Sequence, residues 1–363
     1  MISLLTRGIR RVFLTELIVP RQILKMSASG DGTSVHRKVI GTHSGTFHCD
    51  EALACFMLKK LPEYANAEIV RSRDPAVLDP CDIVVDVGGE YNPSKHRYDH
   101  HQRSFSETMN SVRPEKPWQT KLSSAGLVYL HFGERVIKQL MGEPADQTKV
   151  DAIYDKVYEN FMEEIDAIDN GVNQYDGEPR YIISTNVSSR VKHINPDWNE
   201  TADDMDERFQ KAMALVGSEF VDKVTFYSNS WWPARELVED ALNSRFEAHE
   251  SGEIVVLNAG GCPWKEHLYA LEKDLAIETP IKYVLYTDQA GKWRVQCVSV
   301  SSHSFQNRLS LPEKWRGLRN EELSRLADIP NCIFVHASGF IGGNETREGA
   351  LCMATKALVM NKT

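Results

Sequence analysis

Short apolar runs bounded by turn residues alternate with stretches of helical periodicity in the first half of the chain. "HRKVIGTH" predicts a strand running into a turn at Gly41. "CDEALACFMLKKL" predicts a buried helix ended by Pro62, and "AEIVRSR" a second strand. "CDIVVDVGG" predicts a third strand, apolar on both faces until Asp86 and stopped by Gly88-Gly89. Continuous apolar strands alternating with helices predict a parallel sheet covered on both sides. "SSAGLVYLHFGERVIKQLM" predicts a helix capped by Ser123 or Ser124. In "TKVDAIYDKVYENFMEEIDAIDNG" the residues Ile153, Tyr154, Val157, Tyr158, Phe161, Ile165 and Ile168 keep helical spacing up to a stop at Gly171.

Residues 203–248 read as helical with a break near "SNSWWP". A strand-rich set follows: "EIVVLN", "IKYVLYT", "KWRVQCVSV" and "NCIFVH", with "TDQAGK" as the hairpin turn between the middle two. "TREGALCMATKALVM" predicts a closing helix. There is no internal repeat and no low-complexity linker, so the boundary between two domains is expected between 190 and 250.

With 363 residues, 42% hydrophobic and 26% charged, the chain can build two cores. No apolar run reaches the roughly 18 residues that cross a bilayer, so no membrane partner is expected. The seven cysteines form no C-x-x-C pair, which favours reduced thiols over a disulfide framework or zinc ribbon. The net charge of −9 argues against a long nucleic-acid-tracking surface. Residues 281–320 differ, with seven Lys/Arg against two Asp/Glu and Trp293, Phe305 and Trp315 among them. Basic groups interleaved with aromatics suit phosphates and stacked bases. The first 26 residues carry five Lys/Arg and one acid, Glu16, in a helix-capable pattern like a mitochondrial presequence. Met26 then opens a polar segment that reads as a second start or as the end of a removed region.

Four stretches put carboxylates and imidazoles at predicted element ends. "THSGTFHCDE" supplies His43, His48 and Asp50. Asp86 ends a buried strand. "YDHHQRSF" packs Asp99, His100 and His101 together. "EIDAIDNG" supplies Asp166 and Asp169. Singly, each is more readily a cap, a turn residue or a solvated charge. Jointly, so many charges at the carboxyl edge of a sheet need a cation. Carboxylate oxygen and imidazole nitrogen suit Mn²⁺, Mg²⁺, Fe or Zn²⁺. A shared carboxylate such as Asp86 can bridge two ions about 3.5–4 Å apart, and an aspartate beside a histidine can fix its tautomer.

The order of these motifs resembles the DHH phosphoesterase superfamily. "GTHSGTFHCDEALA", "HRYDHHQRSF", "SSAGLVY", "EIDAIDNGVNQY", "SFQNRLSLPEKWRG" and "HASGFIGGNETREGAL" more specifically resemble the melanocyte-proliferating-gene exonuclease family, from about residue 38 to the end. The resemblance implies an α/β fold: a parallel-sheet, DHH-type metal domain over 38–200, a helical connection over 201–250, and a smaller α/β substrate-binding domain over 251–363. Residues 1–37 precede them as presequence and flexible tail. It implies two divalent ions, Mn²⁺ or Mg²⁺, held by His43, His48, Asp50, Asp86, His100 and Asp169. His48 stands where the superfamily commonly has a first aspartate, which leaves one less negative charge on the metals. Asp99 would orient the histidines and His101 would act on the phosphoryl group or leaving oxygen. Asp166, one turn before Asp169, is counted with them as catalytic.

The resemblance further implies 3′-to-5′ exonuclease action on single-stranded RNA, in the mitochondrial matrix and in the nucleus and nucleolus. A glycine-rich loop with His336, Gly339, Gly342 and Gly343, plus Arg347 and Arg308, would grip the substrate. Two other readings stand beside this one. One is hydrolysis of a small phosphoanhydride or cyclic dinucleotide. The other is a degenerate member that binds RNA or a protein without cleaving it. The sequence sets no oligomeric state.

Overall fold

The structure is a computed structural model that describes residues 37–142, 146–302 and 304–360. The presequence-like start and Met26 lie outside them. Among the described residues there are two five-stranded sheets. The first comprises β1 (Val39–Thr42), β2 (Glu68–Arg71), β3 (Ile83–Val85), β4 (Tyr91–Asn92) and β5 (Arg97–Tyr98) in the order β2-β1-β3-β5-β4. β2, β1, β3 and β5 run parallel, as the apolar runs predict. β4 is an antiparallel edge strand paired to β5, and that hairpin was not legible in advance. Ile83 and Val85 face the main core while Val84 packs with Leu78 and Cys81 on the other side. Both faces are therefore covered, as a parallel sheet requires.

The helices Cys49–Lys59, Ser124–Met141 and Met205–Phe226 pack together over this sheet. The periodic stretch 147–169 is not one regular helix. Gln147–Val157 and Glu163–Asp169 flank a π turn at Tyr158–Met162. The predicted break near "SNSWWP" is also a π turn, Tyr227–Trp231, leading into the helix Trp232–Asn243. Pro233 lacks an N–H and its ring clashes with the carbonyl four residues back, and a widened turn absorbs both. The chain changes cores there: Phe209, Phe220 and Trp231 belong to the first core, Val238 and Leu242 to one built around the second sheet.

The second sheet comprises β6 (Ile254–Val256), β7 (Tyr283–Thr287), β8 (Trp293–Cys297), β9 (Cys332–Val335) and β10 (Ile341–Asn344), ordered β6-β7-β8-β10-β9. β6 and β7 are parallel, and the helix Trp264–Asp274 lies between them in sequence. The rest is antiparallel, with the predicted turn between β7 and β8 closed by Asp288 N–H donating to Lys292 O (2.8 Å). No helix among the described residues is long and apolar enough to cross a membrane.

Candidate metal centre

Three parallel strands deliver the chemistry to one edge. β1 ends at Thr42 and hands over to His43, β3 ends at Val85 and hands over to Asp86, and β5 ends at Tyr98 before Asp99, His100 and His101. Asp86 adopts a left-handed backbone (φ 60°), a conformation aspartate tolerates better than most residues. It turns the chain at the sheet edge while its N–H still donates to Tyr98 O (3.1 Å). The loop from His43 to His48 is held from outside by Arg71. This guanidinium donates to Gly45 O (2.7 Å) and lies over the rings of Phe47 and Phe209.

Helix Cys49–Lys59 starts at the end of that loop and carries Asp50 and Glu51 in its first turn, where its dipole favours negative charge. Two adjacent serines at the start of helix Ser124–Met141 each hold an aspartate. Ser124 donates from N–H (3.3 Å) and Oγ (2.7 Å) to Asp50 Oδ2. Ser123, the cap itself, donates from N–H (2.9 Å) and Oγ (2.7 Å) to Asp166 Oδ1.

The imidazoles sit among the carboxylates. His43 Nε2 is 3.0 Å from Glu51 Oε1 and 3.3 Å from Asp86 Oδ2. His100 Nε2 is 3.3 Å from Asp86 Oδ1, 3.2 Å from Asp169 Oδ2 and 4.0 Å from Asp50 Oδ2. His101 Nδ1 lies 2.7 Å from Asp99 Oδ1, and the other oxygen of Asp99 accepts from the Gly89 N–H (2.6 Å). Asp99 thus holds the ring from behind, as an orienting aspartate should. Candidate ligand atoms fall into three overlapping groups: His43, His48, Glu51 and Asp86; Asp86, His100 and His101; and His48, Asp50 and Asp169. Asp86 joins the first two groups and His48 joins the first and third.

The electrostatics are those of crowded like charges. Burial, followed by the charges of Asp50 and Asp86, pushes Asp169 up to about 10. Burial pushes Glu51 up to about 8 against the pull of His43. Burial disfavours a charged His43 ring, yet Asp86 and Glu51 raise it to about 10. Asp86 goes the other way: burial opposes its charge, but His100 and His43 hold it at about 2.

A divalent cation fits this donor set. Asp50 Oδ1, Asp86 Oδ1 and both ring nitrogens of His100 are buried without a hydrogen-bond partner. Buried polar atoms in a folded protein are otherwise nearly always paired. The set of carboxylate oxygen with imidazole nitrogen suits a hard-to-borderline divalent metal. His43, Asp50, Asp86, His100 and Asp169, with His48 at the exposed rim, would hold it.

Because Ser124 supplies both hydrogen bonds given above to Asp50 Oδ2, Ser124→Ala should weaken metal binding about 10–100-fold. Titration of the metal-free variant with Mn²⁺ by calorimetry checks this.

Two residues were missed. Glu51, fully buried, accepts from the His48 N–H (2.8 Å) and faces His43. In the sequence it has only the spacing of an ordinary helix-capping glutamate. Arg73, just past β2, puts Nη2 3.2 Å from His43 Nδ1 and lines the cavity of about 310 Å³ beside His43, His48, Asp86, Asp99 and His101. Nothing in the sequence marks it.

Other expectations are redirected. Asp166 is fully buried and lies outside the three ligand groups. Both its oxygens are engaged, one by Ser123 and one by the Tyr158 hydroxyl (2.9 Å). The π turn brings Tyr158 to it, and a Cβ on Gly126 would stand 2.3 Å from its Oδ1.

Arg308 is paired inside the second half. It donates to Glu272 Oε1 (2.6 Å) and Oε2 (2.7 Å) and to Ile281 O (2.9 Å). Its side chain is 16% exposed and that of Glu272 12%. Breaking so enclosed a pair strands a charge, so Arg308→Ala should cost about 3–5 kcal/mol of stability, read from urea unfolding, with turnover of a small phosphodiester unchanged.

The glycine-rich loop is largely strand. Gly342 and Gly343 occupy β10, and side chains of Leu311, Met353, Phe334 and Arg294 fill the space where a Cβ would stand. Gly339 (φ 72°) and the exposed His336 belong to the turn before β10, and the exposed Arg347 opens the helix after it. A four-residue strand of about 13 Å separates them. Among the described residues none of these borders the cavity. The basic surface over 281–320 is also partly neutralised: Lys282 pairs with Glu253, Lys292 with Glu345, Arg294 with Asp288 and Arg308 with Glu272. Trp315 is buried.

The family model described as "Uncharacterised protein family (UPF0160)", whose own name is that of an exonuclease, matches residues 39–358. The chain is 63% identical over 320 residues to MYG1 exonuclease of Mus musculus, covering 88% of this chain and 84% of that protein. It is 62% identical over 320 residues to MYG1 exonuclease of Homo sapiens, covering 88% and 85%. It is 44% identical over 330 residues to a MYG1 protein of Saccharomyces cerevisiae, covering 88% and 96%. No solved structure matches. The chain belongs to the MYG1 exonuclease family.

Proposed function

We propose that the chain is a metal-dependent 3′-to-5′ exonuclease that hydrolyses phosphodiester bonds of single-stranded RNA. The observation that carries the chemistry is the convergence of Asp50, Asp86, Asp169, His43 and His100 on one sheet edge, with buried polar atoms that have no hydrogen-bond partner. The DHH-like order of the motifs and the exonuclease names of the relatives support a phosphodiester as substrate. Two divalent cations there, Mn²⁺ or Mg²⁺, would neutralise phosphoryl charge and supply a nucleophile at neutral pH.

The chain's own groups do the rest. Arg73 lines the cavity with a guanidinium matched to phosphoryl oxygens. Asp99 raises the pKa of His101 and so favours the protonated ring, which can give its proton to the departing oxygen. Ser123, through Asp166, and Ser124, through Asp50, lock the start of helix Ser124–Met141 against the ligand-bearing elements.

The basic, acid-poor first 26 residues support action in the mitochondrial matrix, and the family resemblance adds the nucleus and nucleolus. Fusing residues 1–37 to a fluorescent reporter tests import; a reporter that stays diffuse removes the mitochondrial assignment.

Metal-depleted protein incubated with 3′- and 5′-labelled RNA, each ion added back in turn, tests chemistry, polarity and cofactor together. The 3′ label should be lost first, and only with Mn²⁺ or Mg²⁺. Cleavage without a divalent ion, or loss of the 5′ label first, would overturn the proposal.

A further inference from the structure

The stretch from Gly171 to Asp204 leaves the metal centre and returns to it. It begins two residues after Asp169, where Asn170 Nδ2 donates to Lys121 O (2.9 Å) and Asp166 O (2.9 Å). It is pinned again at helix Val187–Lys192, which packs on helix Cys49–Lys59 with Ser188 facing the Cys49 thiol, next to Asp50. A third pin is Asn195, whose Oδ1 accepts from the Phe47 N–H (3.0 Å) while its Nδ2 donates to Phe47 O (2.8 Å), beside His48.

Between the first two pins, residues 171–185 form neither helix nor strand and every one is exposed. Unstructured spans of this length inside a compact protein are uncommon and are usually either functional or linker segments. Exposed apolar side chains also concentrate here. Tyr181 is 75% exposed, Ile182 86% and, just past the third pin, Trp198 95%; Tyr175 and Ile183 are exposed as well. Large apolar surfaces left in water mark contacts to be made.

The metal centre itself indicates the occupant. Its cavity is nucleotide-sized and lined by histidine, aspartate, glycine, valine and arginine, with no Tyr, Trp or Phe ring. It offers a phosphate ligands, and its only ring faces are those of histidines placed among the metal-binding carboxylates. Exposed aromatics on a segment pinned at both ends beside the centre can supply large, free faces.

We propose that residues 172–185, with Trp198, are a stacking platform for the bases of the single strand whose terminal phosphodiester enters the metal centre. This rests on the hydrolase reading above. Stacking on Tyr175, Tyr181 and Trp198 is blind to base identity and needs bases already unpaired, so the platform selects single strands over duplexes without reading sequence.

The test is binding of a fluorescein-labelled oligouridylate, and of an abasic strand of equal length, to the full chain in EDTA, followed by fluorescence anisotropy. Wild type should bind the base-bearing strand more tightly. Each of Tyr175→Ala, Tyr181→Ala and Trp198→Ala should weaken that strand about tenfold, leave the abasic strand unchanged, and leave the melting temperature unchanged because all three side chains are exposed. Equal affinity for both strands in wild type would overturn the platform, as would variants that bind like wild type. Variants that split a dimer in sedimentation would also overturn it and make the segment a contact between copies. Failure of the hydrolase reading appears separately, as absence of metal-dependent cleavage of the same oligouridylate on a gel.

Discussion

Asp86→Asn should abolish metal-dependent phosphodiester hydrolysis and leave the fold standing. Asp86 Oδ1 faces His100 at 3.3 Å and Oδ2 faces His43 at 3.3 Å, so this carboxylate links two of the three ligand groups. Asparagine keeps its volume and tolerates the left-handed backbone at φ 60°, but removes the charge and replaces one acceptor by a donor. Alanine would add backbone strain and confuse the result. An outer-shell partner typically costs about 10–100-fold on removal, and a ligand shared between ions should cost well beyond that. The loss is measured as Mn²⁺-dependent release of label from RNA, with unfolding in urea as the control for folding. A variant that trims RNA at the wild-type rate would remove Asp86 from the centre.

The second large effect is on stability, and its sign depends on the metal. Asp169 is lifted from an ordinary 3.8 to about 10, so folding keeps a proton that the unfolded chain gives up. The folded state then binds more protons than the unfolded one, and stability falls as pH rises above 3.8 toward 10. His43, raised from 6.5 to about 10, contributes stability that is whole below 6.5 and lost between 6.5 and 10.

Metal-free protein should therefore melt at progressively lower temperature as pH rises above neutrality. Metal binding works in the opposite direction. The cation displaces protons from Asp169, Glu51 and His43, so its affinity rises with pH. At a free concentration about 100-fold above Kd it adds about 2.7 kcal/mol. Asp169→Asn should separate the two effects. It removes a carboxyl that must take up a proton to fold at neutral pH, raising metal-free stability there by on the order of a few kcal/mol, and it forfeits much of the gain on adding Mn²⁺. Scanning calorimetry across pH, with and without Mn²⁺, reads both. A melting temperature that rises with pH in the metal-free protein would contradict this assignment.

Much of the first half was legible because its signals are local. Apolar runs gave β1, β2 and β3, and the carboxyl-edge rule then pointed to His43 and Asp86, while His100 follows β5, a two-residue strand too short to read. Glu51 stayed hidden because a capping glutamate and a buried partner of a histidine share one spacing. Arg308 is a phosphate contact only by resemblance, and its sequence neighbourhood does not show that Glu272, 36 positions earlier, meets it in space. β10 was hidden by Gly342 and Gly343, which are poor strand formers. Their lack of side chains is what lets Leu311, Met353 and Phe334 pack against the strand. The π turn at Tyr158–Met162 interrupts a helical period without the proline or glycine signature of a helix end, so Tyr158 could not be paired with Asp166 beforehand.

Crystals of the chain soaked in Mn²⁺, with anomalous data collected at the manganese edge, probe the centre without relying on turnover. Two peaks should appear among His43, Asp50, Asp86, His100 and Asp169. Clean electron density for those side chains, with anomalous signal absent there or confined to exposed carboxylates elsewhere, would contradict the assignment of this sheet edge as a metal centre.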